Sequence, residues 1–182
     1  MVVAMKEKNK LNVVRVKLVE DIPLYSDEIV GSPDDAVDIL KKELSTYDRE
    51  VFGIINLNTM GKVINFNIVS VGTLNSSVAH PREILKTAIL SNSASFIAIH
   101  NHPSGFPSPS PEDLLITQRL YDAGELIGIE MLDHVIVAEN KIFSFAENNL
   151  LGKTFKEAKL MLGMNDNTID YRKNNFRKII FF

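Results

Sequence analysis

The chain reads as a single domain of the α/β or α+β class in three layers. Three observations support this: apolar runs of strand length alternate with helical patterns, helix-start signals precede the helical stretches, and the length admits one core. Its 182 residues suffice for one domain with modest extensions, so one active site is expected. With 45% hydrophobic and 24% charged residues the composition is that of an ordinary globular protein, and no internal repeat is visible.

The elements follow in order. LNVVRVKLV, from Leu11 to Val19, is rich in valine and alternates around Arg15 and Lys17, as an edge or half-buried strand does. After a polar connection from Glu20 to Gly31, Ser32 with Pro33, Asp34 and Asp35 supplies an N-cap, a first-turn proline and two acids at the positive helix end. A helix is therefore expected to about Tyr47, with Ala36, Val37, Ile39, Leu40 and Leu44 on one face. EVFGIINL, from Glu50 to Leu57, and VINFNIVSVG, after Lys62, read as adjacent strands. Pro81-Arg82-Glu83 opens a second helix, and SFIAI, from Ser95 to Ile99, is a short buried strand that delivers His100.

From Asn101 to Ser110 the segment NHPSGFPSPS holds three prolines, one glycine and three serines, which can continue neither helix nor strand. A third helix starts at Pro111. The alternating strand IEMLDHVIVAE, a tight turn at Glu139-Asn140-Lys141 and a short strand IFSF follow. KTFKEAKLMLG is a short helix, and NDNTIDYRKNNFRKIIFF a basic-aromatic appendage.

Composition narrows the function. Twenty basic against 23 acidic residues give a formal net charge of -3, which offers no global attraction to nucleic acid or anionic membrane. Cysteine is absent, which removes disulfides, thiolate metal sites and cysteine nucleophiles together. Any metal must be held by His, Asp or Glu. The start MVVAMKEKNK lacks the apolar stretch of a secretory signal, and no run approaches membrane-spanning length, so a cytoplasmic protein without membrane contact is expected.

His100 and His102 flank one residue at a strand end, and the period of two projects both imidazoles from the same face. Seven loop residues, Ser110 and two more residues lead to Asp113 in the first turn of a helix, where its carboxylate can swing back as a third ligand. Two imidazoles, a carboxylate and a fourth position left to water make the ligand set of an open catalytic zinc site. Bound Zn2+ lowers the pKa of its water to about 7, and a nearby carboxylate can take the proton as hydroxide attacks a carbonyl. Glu50, at the start of a buried strand, is the candidate base.

HxH, seven residues, S, two residues and D is the signature of the JAMM, or MPN-plus, metalloproteases, and it stands here as His100, His102, Ser110 and Asp113. HPREIL at His80–Leu85, IHNHPSG at Ile99–Gly105, SPED at Ser110–Asp113 and LDHVIV at Leu132–Val137 resemble one bacterial branch, the RadC-like JAB domain. The resemblance covers roughly Gly31 to Leu151. It implies a JAMM/cytidine-deaminase-like fold with a curved mixed sheet flanked by helices, Zn2+ on His100, His102 and Asp113, Glu50 as the glutamate of an ExxG-like first strand, and Ser110 orienting water and stabilising an oxyanion. It also implies peptidase or isopeptidase chemistry on a protein or peptide substrate. The branch was named for DNA repair and usually carries an N-terminal helical DNA-binding-type region, for which the start of this chain leaves little room.

Blander readings compete at each residue. Ser110-Pro111-Glu112-Asp113 would start any helix, yet this leaves two imidazoles at a strand end unexplained. Glu50 has Arg49 beside it as an ion-pair partner, while His80 and His134 are either donors orienting ligands or a helix-flanking and a satisfied strand residue. Tyr171–Phe182 interleaves Arg172, Lys173, Arg177 and Lys178 with aromatics, a pattern that can meet nucleic acid but is more often solvated. An HNH endonuclease does not explain the Ser and Asp spacing, and a deaminase needs cysteines.

The resulting expectation is an N-terminal strand and connection over 1–30, the JAMM-like domain over 31–151 and a C-terminal helix with its tail over 152–182. The domain is expected to be a zinc metallopeptidase or isopeptidase, with Phe106, Pro107 and Pro109 bordering the groove or acting as a lid. The rivals are a metal-dependent nuclease or DNA-processing factor, a non-catalytic scaffold and a mobile-element accessory protein. The oligomeric state is left open, a homodimer included.

Overall fold

A computed structural model describes Leu18 and residues 33–72, 80–139 and 141–164. The expected strand at Leu11–Val19 apart from Leu18, the Ser32 cap and the tail from residue 165 lie outside the described residues, as does Asn140 of the expected turn. Four helices and five strands are described: α1 (Pro33–Leu44), β1 (Val51–Leu57), β2 (Val63–Val71), α2 (Pro81–Leu90), β3 (Ser95–Asn101), α3 (Pro111–Ile127), β4 (Glu130–Ala138), β5 (Lys141–Ser144) and α4 (Phe155–Met161). The strands form one open mixed sheet in the order β2-β1-β3-β4-β5. β1 runs antiparallel to β2 and β3, β3 and β4 are parallel, and β5 is antiparallel to β4.

Every residue of β1 and of β3 is buried, as strands covered on both faces must be. Alternation divides their side chains. Val51, Ile55, Leu57, Ile97 and Ile99 pack with Val37, Leu40 and Leu44 of α1. Phe52, Ile54, Phe96 and Ala98 pack with Ile84, Leu85 and Ala88 of α2 and Ile116 and Leu120 of α3. The result is the three-layer α/β/α arrangement. Each fully buried large side chain contributes about 1.5–3 kcal/mol from burial. α1 ends at Leu44, three residues short of the expected Tyr47, because the Ser45 and Thr46 hydroxyls donate back to Lys41 O (2.6 Å) and Glu43 O (2.7 Å) and close the last turn.

Bulges bend the sheet. β2 carries extra residues where Phe52 pairs with Ser70 and Gly53 with Ile68, and again where Asn56 pairs with Asn65 and Leu57 with Val63. A further one lies in β4: Phe96 pairs with Met131 but Ile97 with Asp133. The extra residue, Leu132, reverses the facing of everything after it, so His134 turns to the α3 side of the sheet together with Met131.

Candidate metal centre

β3 ends where the chemistry begins. His100 faces α3 from the last turn of alternation in the strand, and His102, one residue past the strand, is held by its own N–H donating to Val137 O at 2.7 Å. The loop then returns to Ser110, the N-cap of α3, whose Pro111 has no N–H to leave unsatisfied. Ser110 and Asp113 form a reciprocal capping box: Asp113 N–H donates to Ser110 Oγ (3.2 Å), and Ser110 N–H donates to Asp113 Oδ2 (2.7 Å). Ser110 Oγ–H donates to the same Oδ2 at 2.6 Å. The cap that starts the helix thus also aims the carboxylate.

That aim is toward the imidazoles. His100 Nε2 lies 3.1 Å from Asp113 Oδ1, His102 Nε2 lies 3.4 Å from Asp113 Oδ2, and the two Nε2 atoms are 3.0 Å apart. These separations approximate the edge of a tetrahedron, about 3.3 Å for metal–ligand bonds of about 2.0–2.1 Å. Among the described residues these three form the group of His and acidic side chains that could hold a metal ion, and His100 and Asp113 are buried.

Proton accounting shows which nitrogens are free to ligate. Thr117 Oγ–H donates to Asp113 O (2.6 Å), so its hydroxyl lone pair must accept from His134 Nδ1–H, also at 2.6 Å. Burial first, and then the neighbouring His100, hold the His134 pKa well below that of a free imidazole, so the ring is neutral and its Nε2 is an acceptor. It accepts from His100 Nδ1–H at 2.9 Å. His102 Nδ1–H donates to Phe106 O at 2.9 Å. Both rings therefore commit an Nδ1–H on the far side, which leaves Nε2 of each as the atom that would meet a metal beside Asp113. Phe52 stacks on His100 (centroids 5.7 Å apart) and Phe145 on His134 (4.8 Å), which keeps water from this relay.

Electrostatics follow the same geometry. Burial would raise the Asp113 pKa, but His100 and the hydrogen bonds from His100, His102 and Ser110 pull it well below the ordinary carboxylate range. Burial lowers that of His102, but Asp113, the Phe106 carbonyl and Glu50 outweigh it and the net shift is upward.

Glu50 lies just before β1 and is half-buried. Because Phe52 pairs with His100 in an antiparallel ladder, the same register carries Glu50 to the level of His102, within whose electrostatic reach it lies. Arg49, the expected ion-pair partner of Glu50, pairs with Asp48 at 2.9 Å. His80 takes its plain reading: it caps α2 by accepting from Arg82 N–H at 3.2 Å. His134 orients His100, but as an acceptor where a donor was expected. Phe106 is exposed at the loop apex while its carbonyl holds His102. Thr117 was missed by sequence reasoning, although its place four residues after Asp113, one helical turn on, could have flagged it.

Comparison with known proteins bears on the family. The chain is similar to a UPF0758 protein of Desulforamulus reducens (45% identical over 130 residues, 71% of this chain and 57% of the relative). It is also similar to UPF0758 proteins of Desulforudis audaxviator (50% over 115 residues, 63% and 50%) and Desulfitobacterium hafniense (46% over 123 residues, 68% and 54%). The chain thus spans about half the length of these relatives. Residues 30–150, which include every side chain of the His–His–Asp group and its relay, match the RadC-like JAB domain. The chain belongs to the RadC-like JAB domain family.

Proposed function

We propose that this chain is a zinc-dependent metallopeptidase or isopeptidase that hydrolyses a peptide-type bond with an activated water. The observation that carries the reading is the convergence of two imidazole Nε2 atoms and one carboxylate, with the Nδ1–H of each ring committed on the far side to His134 and to the Phe106 carbonyl. JAB domains commonly use zinc and are often hydrolytic. His100 Nε2, His102 Nε2 and Asp113 Oδ1 would hold the ion, since Asp113 Oδ2 already accepts two hydrogen bonds from Ser110. When bound, zinc supplies a Lewis acid that lowers the pKa of a water to about 7 and polarises a carbonyl.

The remaining steps belong to the chain. Glu50, level with His102, takes the proton of the attacking water and hands it to the leaving amine. Ser110 supports the oxyanion by turning its hydroxyl from Asp113 to the substrate oxygen, while Ser110 N–H keeps the carboxylate in place. Phe106 and the prolines beside it border the substrate groove. No described helix is long and apolar enough to cross a membrane, and the cysteine-free composition suits the cytoplasm.

Metal analysis of purified protein and a peptide and isopeptide panel test the reading. One zinc per chain is expected, lost in His102→Ala and Asp113→Ala. Glu50→Gln should keep zinc and lose hydrolysis; a fully active Glu50→Gln overturns the assignment of the base. Chelator-sensitive DNA cleavage with no peptide-bond hydrolysis would replace the reading with a nuclease.

A further inference from the structure

Asn101 stands between the two histidines, and alternation turns its side chain to the opposite face, toward α1. It is 3% exposed, at the edge of an apolar layer that includes Val51, Ile99 and Val137. A primary amide in such surroundings is costly unless its donors and acceptor are used. Here the backbone uses them: Asn101 Oδ1 accepts from Val51 N–H at 2.6 Å, and Asn101 Nδ2–H donates to Arg49 O at 3.1 Å. Those two main-chain groups lie immediately after and immediately before Glu50. From its other side Glu50 O accepts from Gly72 N–H at 2.8 Å.

The β1–β3 ladder ends with Phe52 opposite His100. Beyond that pair the Asn101 side chain takes over, holding the chain at both flanks of Glu50 as a ladder rung would. We propose that Asn101 is a positioning residue for the base, acting through the Glu50 backbone to keep the carboxylate at the level of His102. This rests on the reading of Glu50 as the base. Filling space does not account for the choice, because an aliphatic side chain suits the apolar layer better. Nor does an acceptor alone, because an aspartate would meet Val51 N–H but repel Arg49 O and bury a charge. The two-ended amide is what spans both flanks.

The function follows from the separation of faces. His100 and His102 bind on one side of β3 and Asn101 works on the other, so metal affinity and base alignment should come apart on substitution. For Asn101→Ala the zinc dissociation constant should stay within about twofold, because the Asn101 side chain hydrogen-bonds to the Val51 and Arg49 backbone, on the face of β3 opposite the ligands. Hydrogen exchange at the Val51 amide should accelerate while that at Ile54 and Ile55 holds. The kcat should fall about 10–100-fold with KM little changed, the penalty of a misplaced group. In a Glu50→Gln background Asn101→Ala should cost nothing further, since there is no base left to align.

Four results would overturn the proposal: zinc affinity falling in step with activity, unchanged exchange at Val51, unchanged kcat, or an undiminished further loss in Glu50→Gln. If Glu50→Gln itself is fully active, the base reading fails instead, which separates the two. Should no peptide-type substrate be cleaved, the visible bands of the cobalt(II)-loaded protein at one fixed pH decide. Asn101→Ala should shift them in the direction that Glu50→Gln does, and a band unmoved by Asn101→Ala but moved by Glu50→Gln rejects the role. If Asn101→Ala does not fold, Asn101→Asp, which keeps the acceptor and loses the donor, is read by the same measurements.

Discussion

At the scale of single residues, the site is a problem of where protons sit. Thr117 has one hydroxyl proton, and because Asp113 O takes it, the order of donors through His134 to His100 is fixed from that point outward. Removing the hydroxyl while keeping the shape tests this. Thr117→Val leaves the His134 Nδ1–H buried with no acceptor, which should destabilise the protein by about 1–3 kcal/mol. It also frees His134 to change tautomer, so that its Nε2 no longer accepts from His100, and zinc affinity should fall about 10–100-fold. Thr117→Ser, which keeps the hydroxyl, should restore most of both. A competition titration for zinc and urea denaturation of the metal-free protein read the two effects separately, and equal zinc affinity in Thr117→Val and wild type would dismiss the relay.

Among whole elements, Gly53 shows why the first strand has the form Glu-x-x-Gly. A Cβ there would lie 2.5 Å from the Phe66 ring and 2.7 Å from Asn67 O, because bulged β2 folds its aromatic across the centre of β1. Gly53→Ala should therefore cost about 1–3 kcal/mol by overpacking. Phe66→Leu in the same chain should recover only part, since the Asn67 carbonyl is backbone and cannot move aside; full recovery in urea denaturation would place the clash on the ring alone. The elements themselves were legible because period, proline and capping residues agree: Ser110-Pro111 starts α3 in the sequence and in the structure. The His–x–His pair and Asp113 were legible because alternation and one capping turn suffice to bring them together. His134 was not. Strict alternation through IEMLDHVIV sets Met131 and His134 on opposite faces, and only the extra residue at Leu132, which leaves no mark in the local pattern, returns His134 to the side of His100. Asn101 was hidden for a similar reason, because its partners are backbone groups some fifty positions away (|i−j| of 50 and 52), which carry no residue identity.

For the molecule as a whole, the site couples pH to stability, and a bound metal would enter the same balance. The sign of each contribution follows from whether folding raises or lowers the pKa. His134 is depressed in the folded protein, so below the unfolded value of about 6.5 the unfolded chain binds the extra proton and stability falls as pH falls, by up to about 1.4 kcal/mol per pH unit. His102 is raised, so its contribution is complete below about 6.5 and is lost as pH rises through the folded value. Asp113 is depressed, and its contribution fades only as pH falls below about 4, the range of an unfolded carboxylate. Between pH 5 and 6.5 the slope of the metal-free protein therefore contains His134 but neither His102 nor Asp113. His134→Asn, whose amide does not titrate, should flatten the urea-midpoint profile in that window relative to wild type, whatever its effect on absolute stability. Zinc held as proposed would alter the balance, because it binds only imidazole nitrogens that have lost their protons. At a free concentration of about 100 times its dissociation constant it should add about 2.7 kcal/mol. A given zinc concentration should consequently raise Tm more at pH 7.5 than at pH 5.5, and not at all in Asp113→Ala. A Tm shift in wild type that is equal at both pH values, or that survives in Asp113→Ala, would mean that the cation binds somewhere other than the end of β3.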